Sequence, residues 1–367
     1  MPDPYIYKEF DDTTDILYNQ RELVTAPLWS NGQAALNKIF TSSFQTATQK
    51  EYYYEVWNSQ SSAQGAEPQF SIVYADLPGS GSGTGSLDED LLIRPTRTNY
   101  FQYKQLLLPP GVDTFTFMDG FASEQTSEYV YIININRSRF KDRVDTGNWQ
   151  LSLAAINHLG QINSTASIIN LIDDSGAQTT GLTSQGGRVY NIRSGSLADG
   201  VQTGNLTPYG LFYPDNGMMI LNGKALDASA SFGTIRLAQP TTGSDQRNGL
   251  RLFTSISGAM ARTELSSSFQ GRTSEVIASM YYFARLQWNE FNYTNNDTFY
   301  DLTAGNYGKV THSFMGPSPG SDGNPEVFPT TVGLYDDDEN LLAVAKLSKA
   351  IKKTFDHEMI IKIKLDY

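Results

Sequence analysis

Wherever the chain shows regular spacing, apolar and polar residues mostly alternate with a period of two, the spacing of strands. Phe115 and Phe117 face one way and Thr114 and Thr116 the other, which predicts a half-buried strand. Tyr129-Val130-Tyr131-Ile132-Ile133-Asn134-Ile135 is apolar on both faces and reads as a central strand. After a turn at Asp145–Asn148, Trp149, Leu151 and Leu153 alternate with Gln150 and Ser152, so the two runs are expected to form an antiparallel pair. Glu51–Trp57 and Phe70–Tyr74 are further strand candidates, rich in aromatic residues. One short stretch, Gln33–Phe40, fits two helical turns with Leu36, Ile39 and Phe40 on one side.

The region 160–250 is softer, with islands such as Arg188–Ile192 and Met218–Leu221 between turn residues, and Asn222-Gly223 reads as a tight turn. Periodicity returns over Glu275–Trp288, with Tyr281 and Phe283 on one face. Val332–Tyr335, the acidic turn Asp336–Asn340 and Leu341–Leu347 spell a hairpin. Met359, Ile361, Ile363, Leu365 and Tyr367 then alternate with charged residues in a closing strand. The expected fold is therefore mostly β, an antiparallel sandwich-like domain with an inserted lobe and an extended N-terminal arm. The expected boundaries are 1–50 for the arm, 51–160 plus 270–367 for the main domain, and 161–269 for the β-rich insertion. Trp29, in turn-rich Thr25–Gly32, is the arm's large anchor.

Composition agrees with an ordered chain: of 367 residues 39% are hydrophobic, 12% aromatic and 18% charged. The net charge of −12 argues against a nucleic-acid partner or an anionic membrane, both of which need the opposite sign. With no cysteine, disulfides, Cys-based zinc sites and a thiol nucleophile are excluded. The N-terminus has no basic-then-apolar leader, and no apolar run is long enough to span a bilayer.

The chemistry-bearing residues read mostly as structural. The histidines, His158, His312 and His357, are far apart and lack metal-ligand spacing. Asp173-Asp174 falls in a predicted turn, where solvated acids are expected, and carboxylate pairs alone do not specify a glycosidase. Gly79-Ser80-Gly81-Ser82-Gly83 matches a nucleophile elbow only because it is a Gly/Ser repeat. Asp336, Asp338 and Asn340 alternate like the first ligands of a calcium loop, but Leu341 stands where glycine is needed. Nothing here requires a metal or a cofactor.

Arg137, Arg139, Lys141 and Arg143 form a basic comb if extended, which fits either an acidic neighbouring subunit or a charge-protected edge strand. The lysines Lys346, Lys349, Lys352 and Lys353 admit the same two readings. Trp29 and Phe40 join the four basic residues as candidate subunit contacts. The aromatic run Tyr52–Trp57 fits core or interface, with a sugar-stacking platform as its alternative.

Several segments resemble virion structural proteins of T4-like contractile-tailed phages of the cyanophage type. They include Leu28-Trp29-Ser30 with Phe40–Ser43, Arg137-Ser138-Arg139-Phe140 with Gly147–Leu151, and Gly210–Asp215. Phe269-Gln270 with Arg272–Glu275, Pro329–Asp337 and Leu341–Leu347 complete the set, in order along most of the chain. The resemblance implies a non-enzymatic structural subunit near the tip of the virion tail, made in the host bacterial cytoplasm, with a baseplate place expected but its position there not fixed by the resemblance. Its implied partners are other tail and baseplate proteins, in multiple copies within a symmetric assembly. A receptor- or carbohydrate-binding fibre component, and a neck or capsid accessory protein, are the alternatives it leaves open.

Overall fold

The computed structural model describes residues 7–39, 52–60, 62–79, 95–118, 124–156, 162, 168–177, 182–228, 248–261, 268–294, 296–301, 309–310, 315–316 and 324–367. The chain divides into a smaller unit, residues up to Glu22 with Val276–Tyr367, and a larger unit, Leu23–Glu275. The boundary falls inside one long strand, Phe269–Leu286.

The larger unit is an antiparallel sheet. From its Phe269 end the strand order is Arg143–Ala154, Ile168–Asp173, Gly187–Ser196, Gly210–Tyr213, Met218–Asn222, Tyr129–Ile135, Pro68–Asp76, Tyr53–Trp57 and Asn37–Ile39. Strands from 161–269 thus lie between strands from 51–160. Among the described residues the strands of the expected insertion, 161–269, belong to the same sheet and do not form a lobe of their own. The expected pairing of 129–135 with 149–153 also fails: Tyr129–Ile135 is flanked by Met218–Asn222 and Pro68–Asp76.

Two cores explain why the middle strands are apolar on both sides. Tyr131, Ile133 and Ile135 point into one, with Phe70, Ile72, Trp149, Leu151, Phe212 and Leu221. Val130 and Ile132 point into the other, with Val73, Ile220, Tyr100 and Leu107. Tyr129–Ile135 is therefore the central strand that its sequence predicts. The sheet also curls on itself. Phe70 and Phe269 stand on strands far apart in the strand order, yet their ring centroids are 5.2 Å apart, and Trp29 packs on both.

Among the described residues three α-helices fit around this sheet: α1, Pro95–Leu107; α2, Gly223–Ala228; and α3, Asn248–Ala261. Helix α1 covers the second core, and its buried Tyr100 donates to the Ser127 carbonyl at 2.9 Å while accepting from the Phe115 amide at 3.1 Å. That contact ties the helix to the hairpin Phe115–Met118/Glu124–Ser127. Helix α3 supplies Leu252, Phe253 and Ile256 to the first core. Its Gly258 approaches so closely that an added Cβ would lie 2.8 Å from Ile162 and 3.3 Å from Ala154. Asn222-Gly223 is not a hairpin turn: the Asn222 side chain accepts from the Ala225 amide and caps α2 directly after its strand. Gln33–Phe40 is not helical where described, since Asn37–Ile39 pairs with Tyr53–Trp57.

In the smaller unit the C-terminal strand Met359–Asp366 pairs antiparallel with Ser279–Leu286. Thr331–Tyr335 and Leu341–Lys346 form the expected hairpin. Its inward side chains, including Leu334 and Val332, meet Met359, Ile361, Ile363, Ala284 and Leu286 in a separate core.

Candidate interaction surface

The residues expected to meet neighbouring subunits are largely occupied within their own chain. Trp29 is only 1% exposed, packed against both Phe70 and Phe269, so it anchors the Leu28–Ala34 segment to its own unit and is closed to a partner. The amides of Leu28 and Ala34 donate to the Gly271 and Phe269 carbonyls, which fixes that segment along the long strand. Phe40 lies outside the described residues.

The basic comb is not extended. Arg137–Arg139 forms a 3-10 turn capped by Asn136, which rotates alternate side chains away from a common face. Arg137 stacks 4.6 Å over the Phe140 ring and donates to the Phe140 carbonyl. Arg139 pairs with Glu67 at 2.7 Å, Lys141 with Glu275 at 2.7 Å, and Arg143 donates to the Ser274 hydroxyl at 3.0 Å. Of the four, Lys141 keeps the most exposed side chain among those in ion pairs, at 71%.

Asp173 and Asp174 are not solvated turn residues; both are buried. The Gly147 amide donates to Asp173 at 2.8 Å and the Ser175 amide at 3.0 Å. Asp145–Asn148 lies within the continuous strand Arg143–Ala154, and Gly147, at φ +74°, lets the backbone bend there without a Cβ penalty. Asp174 accepts from the backbone and side-chain amides of Asn191. These carboxylates stitch strands together. Burial raises the Asp173 pKa above its ordinary 3.8, outweighing the hydrogen bonds from Ser175 and Gly147. A raised native value stabilises the fold below the ordinary value, and that stability is lost as pH rises through the native one. Thermal melts between about pH 4 and 7 should therefore show wild type gaining on an Asp173→Asn variant as pH falls. A gap that is constant or widens against wild type would contradict this.

The remaining candidates that fall among the described residues bond within their own chain. His357 shares a 2.9 Å hydrogen bond with the Thr354 hydroxyl, and His158 and His312 lie outside the described residues. Among the described residues no group of acids and histidines could hold a metal ion. Asp336 accepts from the backbone and side-chain amides of Asn340, bonds that lower its pKa and close the hairpin turn. In the aromatic run, Tyr54 and Val56 enter the first core, while Tyr53 and Trp57 both donate to Glu55 on the half-buried opposite face.

What the structure leaves open lies in the smaller unit, which carries most of the exposed large apolar side chains among the described residues. The hairpin is the clearest case: Ala343 and Ala345 face the core, whereas Leu342 and Val344 are 69% and 60% exposed. Tyr335 lies across Gly333 on that outer face, where an added Cβ would come within 2.8 Å of its ring. Lys353 is buried and donates to the Trp288 and Thr354 carbonyls and to Asn292, and Lys352 pairs with Glu326. Lys346 and Lys349 are exposed and make no ion pair among the described residues. The missed signal was the run Leu341-Leu342-Ala343-Val344-Ala345. It is apolar at every position, which in a two-stranded hairpin leaves one apolar face uncovered.

Comparison of the chain with protein-family models, with curated proteins and with solved structures returns no match. Among the described residues no helix is long and apolar enough to cross a membrane.

Proposed function

We propose that this chain is a non-enzymatic structural subunit of a bacteriophage contractile tail, placed in the baseplate and holding neighbouring tail proteins. The observation that carries the scaffold role is the apolar outer face of the C-terminal hairpin, with Leu342 and Val344 more than half exposed. Soluble chains scatter exposed apolar residues singly, and a contiguous face of them is a mark of an interface. The larger unit supports the same reading, because its buried Asp173 and Asp174 are engaged in bonds that hold strands together. The placement in a tail rests on the ordered resemblance of segments along the chain.

A fibre component that binds host glycans has one feature in its favour. Tyr53 and Trp57 flank the Glu55 carboxylate on a half-exposed face, the combination of rings and an acceptor that a sugar can use. Cryo-electron microscopy of intact virions separates the two readings. Density for the larger unit's curled sheet at the tail tip, with the hairpin covered by a neighbour, is the expected result. The same density at the free end of a fibre would favour glycan binding, and its absence from every particle would remove both.

A further inference from the structure

Among the described residues the hairpin has an edge with no strand beside it. In the described structure Leu341–Lys346 pairs only with Thr331–Tyr335, so its other side has no strand beside it. The register determines which backbone groups point there. The Leu347 amide donates to the Thr330 carbonyl at 2.8 Å, which makes positions 347 and 330 a hydrogen-bonded pair in this ladder. Antiparallel ladders alternate bonded and non-bonded pairs. Ala345 and Ala343 therefore bond inward to Val332 and Leu334, while the amides and carbonyls of Val344 and Lys346 point out to the open edge; the register shifts at Leu342, a bulge residue between Ala343 and Leu341, so the alternation ends there.

We propose that two copies of this chain join edge to edge through Leu341–Lys346, antiparallel about a two-fold axis at Val344. In that register Val344 meets Val344 of the second copy, and Leu342 meets Lys346, whose aliphatic stem can lie along it. Val344 finds a bonded position opposite Val344 of the second copy, and Ala343 falls opposite Ala345, so core-facing and outer faces both match. A shift by one residue would place core-facing side chains on the outer side.

Charge follows the same axis. The hairpin tip carries exposed Asp337, Asp338 and Glu339, and the chain leaving the strand carries exposed Lys346 and Lys349. Antiparallel pairing sets each tip beside the other copy's lysines, whereas a parallel pairing would set tip against tip. An edge strand this apolar is an association surface unless something covers it. The pairing stands independently of where in a virion the chain resides.

The test is sedimentation equilibrium of the full chain at concentrations up to about 100 µM, with amide hydrogen exchange of the hairpin. Wild type should dimerise, with the Val344 amide protected. Val344→Pro removes an outward-pointing donor and no inward ladder bond, so it should abolish the dimer while the monomer still unfolds in one cooperative transition. Lys346→Glu/Lys349→Glu and Asp337→Lys/Asp338→Lys should each weaken self-association at least tenfold, and mixing the two variants should restore a heterodimer. A wild-type monomer over the whole range overturns the proposal. So does a dimer indifferent to Val344→Pro, a mixture that fails to pair, or a Val344 amide protected only when another tail protein is added.

Discussion

Replacing Trp149 with alanine should destabilise the larger unit by about 3–5 kcal/mol, the range for deleting a fully buried large aromatic side chain. Trp149 is wholly buried on the strand Arg143–Ala154, and its ring lies 5.1 Å from that of Phe212, three strands away in the sheet order. The sheet's curl brings these rings together, so the cavity would be walled by paired strands that resist collapse. Local closeness adds to this, since an extra Cβ on Gly271 would lie 3.2 Å from the Trp149 Cβ. Trp149→Phe keeps part of the ring contact and should cost less than half as much. Urea unfolding followed by the fluorescence of Trp29, buried in the same core, gives the measurement. A loss below about 1 kcal/mol for the alanine variant would mean that the two strands do not face each other across a closed core.

How far the sequence leads depends on whether a feature is local. Tyr129–Ile135 was recognisable as central because both of its faces are apolar, and the structure puts a core on each side. The hairpin Thr331–Tyr335/Leu341–Lys346 was recognisable because its turn and both alternating strands are contiguous. Strand order was not, since Tyr129–Ile135 finds its partners about 60 and 90 positions away. That non-local pairing is what turned an apparent insertion into part of the main sheet. Helix α3 was hidden by Gly258 and its serines, residues that read as loop but here permit close approach to Ala154 and a 2.7 Å bond from Ser255 to the Ala154 carbonyl. Asp145–Asn148 carries turn residues, yet the buried Asp173 carboxylate binds the Gly147 amide and keeps the strand continuous.

The basic residues show the same limit on a smaller scale. Their every-second-residue spacing has meaning only on an extended backbone. Asn136, whose side chain accepts from the Ser138 amide, starts a 3-10 turn instead and sends the cations to different partners. Conversely, the surface that the structure leaves uncovered is written openly in the sequence as consecutive apolar residues from Leu341 to Ala345. What the run alone does not show is that, among the described residues, the sheet there has two strands, which leaves its outer face exposed.

Deleting the closing strand from Met359 onward should unfold the smaller unit and spare the larger one. Met359, Ile361 and Ile363 are each at most 7% exposed and form one wall of the smaller unit's core. Burying each contributes about 1.5–3 kcal/mol, and their joint loss approaches the total stability of an ordinary domain, about 5–15 kcal/mol. The deletion also removes an eight-residue ladder with Ser279–Leu286 and leaves that strand's backbone groups without partners on one side. The hairpin would lose the surface against which Leu334 packs, and a lone two-stranded hairpin is marginal in water. The larger unit keeps both of its cores, since neither includes a residue beyond Phe269. Limited proteolysis with mass spectrometry should then trim the truncated chain back towards Glu275 and leave a resistant product, while full-length protein survives the same treatment. Ile361→Ala should act in the same direction by about 2–5 kcal/mol, showing that the effect comes from lost burial. If proteolysis instead degraded the truncated chain completely, the two units would share one folding unit. If the truncated chain resisted as well as the full chain, the closing strand would contribute little to the core it lines.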